Sequence, residues 1–189
     1  MLQDQQRPSD DAPTAVRRAV PADAPALAEV AALTFPLACP PHTSDEAKAE
    51  FIRTVLSEER FAAYLVDPHR SLFAAEDASG ALVGYTMLVR GEPADEDAAA
   101  AISRRPSVEL SKCYVLPGGH GSGIASALMA ASLDDARSTG AAGVWLGVNQ
   151  ENERARRFYI RHGFAVVGEK RFLVGDRYED DFVLERPLP

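Results

Sequence analysis

The chain has 189 residues, 46% of them hydrophobic, which suits one domain with a full-sized core and leaves little room for two. Its formal net charge of −8 argues against nucleic acid as a general partner, because backbone phosphates are held by clustered lysine and arginine, and it favours a cationic substrate. Cys39 and Cys113 are too few for a disulfide framework, no apolar run reaches the roughly 20 residues of a membrane span, and the first residues lack the blocks of a secretory signal, so a soluble cytoplasmic protein is expected.

Residues 1–15, polar and proline-bearing, read as a disordered leader ahead of one domain over residues 16–189. A short strand near Val16 precedes a helix over residues 21–35, in which Leu27, Val30 and Leu33 recur at helical spacing. The prolines of "FPLACPPH" are expected to end it, and Thr43 with Glu46 predicts a capping box for a second helix through Leu56. A third helix follows from Ser57 to about Val66. Two apolar runs near residues 70–76 and 81–90, around Asp-Ala-Ser-Gly, read as a hairpin. The acidic, alanine-rich stretch 91–106 is a long connection with a short helix. Then come a strand over 107–116, a glycine-rich loop, a helix over 124–138, a buried strand "GVWLGV", a helix over 152–161 stopped at Gly163, and two strands around Gly175-Asp176. The order implies a mixed, mostly antiparallel α/β sheet flanked by helices.

The loop "LPGGHGSGIASALM" holds Gly118, Gly119, Gly121 and Gly123 and runs directly into helix formers. Such a junction turns unpaired N–H groups and the positive end of a helix dipole toward one spot, which favours phosphate. It is not a P-loop, since Gly123 is followed by Ile124 and Ala125 and not by Lys and Ser or Thr. A dinucleotide fingerprint fails as well: started at Gly119 or Gly121, its last glycine would fall on Ile124 or Ser126.

Taken together, "ELSKCYVLPGGHGSGIASALM" and "VWLGVNQENERARRFYIRHGF" resemble the Gcn5-related N-acetyltransferase (GNAT) family, over about Val16 to Arg186. The family's Gln/Arg-x-x-Gly-x-Gly/Ala loop is met at His120, Gly121, Ser122, Gly123, Ile124 and Ala125, with His120 where Gln or Arg is usual. Its Asn-x-x-Ala-x-x-Phe-Tyr-x-x-x-Gly-Phe pattern is met at Asn152, Ala155, Phe158, Tyr159, Gly163 and Phe164. "WLGVNQENERARRFY" with "FLVGDRYEDDFVLER" looks like the PaiA-type polyamine acetyltransferases.

The resemblance implies a GNAT acyltransferase fold and acetyl-CoA as co-substrate, its pyrophosphate wrapped by the glycine loop. Asn152 would bond the pantetheine arm and Tyr159 would stand near the sulfur. Transfer of acetyl to an amine then needs a base, an oxyanion partner and a proton for the thiolate. Glu109, on the strand before the loop, is the candidate base for an amine of pKa near 10.4; Tyr159, with an ordinary pKa of about 10, is the candidate acid. Backbone N–H groups of Cys113, Tyr114 and Val115 would hold the oxyanion. Cys113 itself, amid apolar strand residues, reads as packing and not as a nucleophile. By the family's architecture Phe35 and Leu37, with Glu109, would shape the acceptor site. "EPADED", residues 92–97, reads as a solvated loop, with a cation-steering rim as the sharper alternative. The four histidines lack metal-ligand spacing, so no metal is expected.

The expected activity is direct acetyl transfer to a primary amine, a polyamine or other small cation, with no nucleic acid and no membrane as partner. The alternatives are an acyl-CoA-binding module without turnover and an acetyltransferase of protein N-termini or lysines. Monomer and homodimer both remain open.

Overall fold

A computed structural model describes residues 15–118 and 123–189; the expected leader, apart from Ala15, and loop residues 119–122 lie outside the described residues. Ala15 already belongs to the first strand, β1 (Ala15–Arg18). A single 3-10 turn (Pro21–Asp23) then leads into α1 (Ala24–Ala38). Helix α1 outruns the expected stop at residue 35. Pro36 lies in its last turn, where the missing N–H forfeits one i to i−4 bond, and Phe35 is held by stacking on Phe51 at 4.4 Å. Helix α2 (Asp45–Val55) is capped by Ser44, whose hydroxyl accepts from the Ala47 N–H at 3.1 Å, and not by Thr43, which is buried. Helix α3 (Glu58–Val66) is capped in the same way by Ser57.

The hairpin β2 (Arg70–Glu76) and β3 (Leu82–Arg90) turns at Asp77, which accepts from the Ser79 and Ala81 N–H groups. Helix α4 (Glu96–Ala101) fills the long connection, capped by Asp95. Strand β4 (Ser107–Val115), helix α5 (Ile124–Ser138), strand β5 (Gly143–Asn149) and helix α6 (Glu153–Arg161) follow. The chain closes with β6 (Ala165–Val174) and β7 (Arg177–Pro187) around Gly175 at φ +66. The sheet order is β1-β2-β3-β4-β5-β7-β6, antiparallel except where β4 meets β5. This is the mixed sheet flanked by helices that the sequence implies.

Helices α5 and α6 pack on one face of the sheet, over a core that includes Leu88, Val108, Leu110, Met129, Leu146 and Leu184. Helices α1 to α3 pack on the other, over Leu27, Val30, Phe61, Tyr85 and Met87, while α4 covers Trp145 and Val183 beside them.

Two features of β4 shape everything near the site. Met87 pairs with Lys112 and Leu88 with Leu110, so Ser111 is an extra residue, a β-bulge that resets the alternation. Leu110 and Cys113 therefore both face the α5 core. In addition, β4 pairs with β5 only at Ser107–Glu109 against Gly143–Trp145; beyond Glu109 the two parallel strands part, and β4 continues on β3 alone while β5 continues on β7 alone.

Gly84, opposite Val115, keeps this region closely packed. A Cβ there would meet the Tyr114 carbonyl oxygen at 2.9 Å, Val115 Cγ2 at 3.0 Å and Leu128 Cδ1 at 3.2 Å. Gly84→Ala is expected to lower stability by about 1–3 kcal/mol through overpacking, read as a fall in the urea midpoint at constant slope. An unchanged midpoint would show that the strand pair yields at no cost.

Candidate active site

Where β4 and β5 part, a cavity of about 470 Å³ passes through the sheet. Its lining comes from four places: Thr34, Leu37 and Ala38 at the end of α1; Cys113, Tyr114 and Val115 on the free edge of β4; Gly123, Ala125 and Ser126 at the start of α5; and one side of α6. Each element reaches the site for a local reason. Gly123 opens α5 at φ +84, a conformation that suits glycine, and the first turn of the helix lines the cavity. Asn152 caps α6, its Oδ1 accepting from the Ala155 N–H at 3.0 Å, which directs the helix start at the gap.

Tyr159 and Cys113 meet in the cavity wall, the phenol on α6 in polar contact with the thiol on β4. Burial pushes the Cys113 thiol up to about 12, and Tyr159, even against an ordinary value of 10, is raised further by burial and then by the neighbouring Cys113 and Tyr114. Both groups keep their protons at neutral pH. Phe158 and Phe164 pack edge-on against the Tyr159 ring at 5.5 and 5.9 Å, fixing its plane.

Of the residues singled out in the sequence, Cys113, Tyr114, Val115, Gly123, Ala125, Asn152, Tyr159 and Leu37 come together around this cavity. Three others stand elsewhere. Ile124 turns into the core with Ala75 and Leu128. Phe35, stacked on Phe51, belongs to the core beneath α1. Glu109 pairs opposite Trp145 at the closed end of the gap and does not line the cavity. Burial raises its carboxyl above the usual range, opposed by Lys112, Lys170 and Arg70. His120, Gly121 and Ser122 lie outside the described residues.

Sequence reasoning passed over Arg154 and Arg161, which line the cavity together with Phe158. The three stand at i, i+4 and i+7, one stripe of a helix, which was the available signal. They add two guanidinium groups to the cavity that the α5 N-terminus also lines, a combination suited to phosphate.

Among the relatives, an uncharacterised N-acetyltransferase of Mycobacterium tuberculosis is 49% identical over 166 residues, 88% of this chain and 98% of its own. The PaiA N-acetyltransferase of Thermoplasma acidophilum, solved in complex with coenzyme A, is similar in structure with a TM-score of 0.73 at 21% identity, over 93% of this chain and 99% of its own. A spermidine N-acetyltransferase chimera that includes the Vibrio cholerae enzyme gives a TM-score of 0.64 at 21% identity, over 92% and 95%. The profile of the acetyltransferase (GNAT) family matches residues 33–164, and the chain belongs to that family of N-acetyltransferases.

On the opposite side of the gap from α6, Asp181 of β7 is 7% exposed, with Lys170 Nζ 3.9 Å away. Burial raises its carboxyl from 3.8 to about 6, more than Lys170 lowers it. The folded protein thus binds this proton more tightly than the unfolded chain. Its contribution is most favourable below pH 4, is lost as pH rises through 6, and amounts to about 3 kcal/mol at most. Asp181→Asn is therefore expected to raise stability at pH 7.5 by about 1–3 kcal/mol, and by little at pH 4, in paired urea titrations. An equal effect at both pH values would contradict this.

Proposed function

We propose that the chain transfers acetyl from acetyl-CoA to the primary amine of a small cationic acceptor, by direct attack with both substrates bound. The observation that carries this reading is the cavity at the parting of β4 and β5, lined by a helix N-terminus, two arginines and a buried phenol. Acetyl-CoA supplies the activated thioester. The α5 N-terminus, Arg154 and Arg161 would hold its phosphates, with the backbone of Gly121, Ser122 and Gly123 and the side chain of His120 as part of the same loop. Asn152 uses its amide oxygen in the α6 cap and keeps its amide nitrogen as a donor for the pantetheine arm. Past Glu109 the β4 edge has no strand beside it, so a backbone N–H of Cys113 to Val115 is free to bind the thioester oxygen as negative charge develops there.

Tyr159 would give the departing thiolate its proton, and its raised pKa keeps that proton in place until the thiolate forms. A Cys113 thiol pushed up to about 12 is almost wholly protonated at neutral pH, which supports direct attack over an acetyl-cysteine route. A polyamine-like acceptor is supported by the net charge of −8 and by the structural likeness to a PaiA enzyme and a spermidine acetyltransferase.

Release of coenzyme A thiol from acetyl-CoA, followed over a panel of spermidine, amino acids, aminoglycosides and peptides, tests the reading; the small polycations should be turned over best. In the same assay Tyr159→Phe should lower kcat by about 10- to 1000-fold with acetyl-CoA affinity retained. Normal turnover by that variant would mean that water protonates the thiolate. Replacing Arg154 and Arg161 together by Ala should weaken acetyl-CoA binding by about 10-fold or more in calorimetry, since a charge-assisted hydrogen bond is worth about 1.5–3 kcal/mol. Unchanged affinity would remove them from the phosphate site.

A further inference from the structure

The α1 face of the sheet holds a group of charged side chains around β5 that the reading above leaves unused. Strand β5 is buried along Gly143–Leu146 and again at Val148, yet Gly147 between them is exposed. An exposed glycine in the middle of a central strand marks a place where the backbone can be closely approached. A Cβ on Gly147 would lie 3.2 Å from Asp181 Oδ2 and 2.6 Å from Lys170 Cε, so both side chains lean over the strand at this point. Asp181 sits opposite Asn149, at the end of β5 where β4 has already departed, and its charge reaches Tyr114, a wall of the cavity.

The Asp181 side chain is 10% exposed, and among the described residues no protein group donates a hydrogen bond to its carboxylate, which touches solvent at its edge. Lys170 Nζ, 3.9 Å off and 5.1 Å from the Phe172 ring centroid, is too far to donate one. A buried carboxylate in this state is costly unless a ligand completes it. We infer that Asp181 is the residue that receives the acceptor's ammonium at the open side of the gap and takes its proton, in place of Glu109 at the closed side. This rests on the proposed function and adds a catalytic residue to it.

The groups that face Asp181 come from every side: Lys170 from β6, Glu179 and Asp180 from its own strand, Asp95 from the start of α4 and Tyr114 from β4. Glu179 is itself engaged by His42, whose Nε2 lies 2.9 Å from both carboxylate oxygens, so Asp181 is the carboxylate left over. Asp95, the first carboxylate of the α4 cap, brings the acidic "EPADED" stretch to this same mouth. The sum is negative, as entry of a cation requires.

The protons balance as follows. An acceptor ammonium gives one proton to Asp181, which passes it to solvent. The neutral nitrogen bonds to the thioester carbon, the C–S bond breaks, and the thiolate takes the phenolic proton of Tyr159. The second proton leaving the nitrogen restores the phenol through solvent, so one proton is released for each acetyl transferred. With its carboxyl near 6, Asp181 is ionised at neutral pH and still basic enough to act.

The test is kcat/KM against pH between 5 and 9 for spermidine, or for whichever panel amine the wild type turns over, with Asp181→Asn, Asp181→Glu and Glu109→Gln alongside. Calorimetry with acetyl-CoA reports whether each variant retains its co-substrate site. Wild type should lose activity below pH about 6; Asp181→Asn should fall about 100-fold or more at pH 7.5, lose that acid limb and still bind acetyl-CoA, and Asp181→Glu should recover part of both. An acid limb kept in Asp181→Asn, or kept there and lost in Glu109→Gln, would overturn the assignment while leaving the proposed function standing. A wild type that binds acetyl-CoA and acetylates no amine would remove both.

Discussion

Two parallel strands that start together and then separate govern this molecule. For three residues β4 and β5 share hydrogen bonds, and past Glu109 each is left with one neighbour. An unpaired strand edge inside a protein is a standing cost, because its N–H and C=O groups need partners, and it persists where a ligand supplies them. The bulge at Ser111 and the close packing of Gly84 under Leu128 hold β4 against β3 in a bent course, so it does not fall back onto β5. The cavity through the sheet is the direct result, and the helices place their ends at it: α5 with its N-terminus, α6 with Tyr159 and two arginines, α1 with Leu37 and Ala38.

The gap also separates two electrostatic environments. On the α6 side guanidinium groups and a helix N-terminus face the cavity, as an anionic co-substrate requires. On the α1 side the carboxylates of Asp181, Glu179, Asp180 and Asp95 outnumber the single ammonium of Lys170 that lies with Asp181 over Gly147. Between them stand groups kept neutral by burial, Tyr159 and Cys113. Opposite charges can thus approach one another through the sheet without either crossing the other's field.

Much of this was legible in the chain. The glycine run followed by Ile124 and a helix-forming stretch marked one wall of the cavity, and Asn152, Ala155 and Tyr159 at their spacing marked a second. The bulge too had a trace: apolar residues fall at 108 and 110, then at 113 and 115, a change of phase across Ser111-Lys112. What escaped depended on tertiary contacts. Pro36 looked like a stop, but stacking of Phe35 on Phe51 carries α1 past it, which points Leu37 at the cavity and Phe35 away. Thr43 and Ser44 are equally good caps on paper; burial of Thr43 decides for Ser44. Glu109 was attractive by its place before the loop, yet β4 is still paired with β5 there and the residue does not line the cavity. Asp181 was hidden in "YEDD", where nothing in the sequence shows that its side chain leans over Gly147 of the neighbouring strand.

The parting of β4 from β5 is tested most directly by amide hydrogen exchange with and without coenzyme A. The N–H groups of Cys113–Val115 that face the gap should exchange readily in the free protein and become protected on binding, while those at Ser107–Glu109, already paired with β5, should change little. Uniform protection along β4 before coenzyme A is added, or binding that leaves residues 113–115 unaffected, would contradict the account.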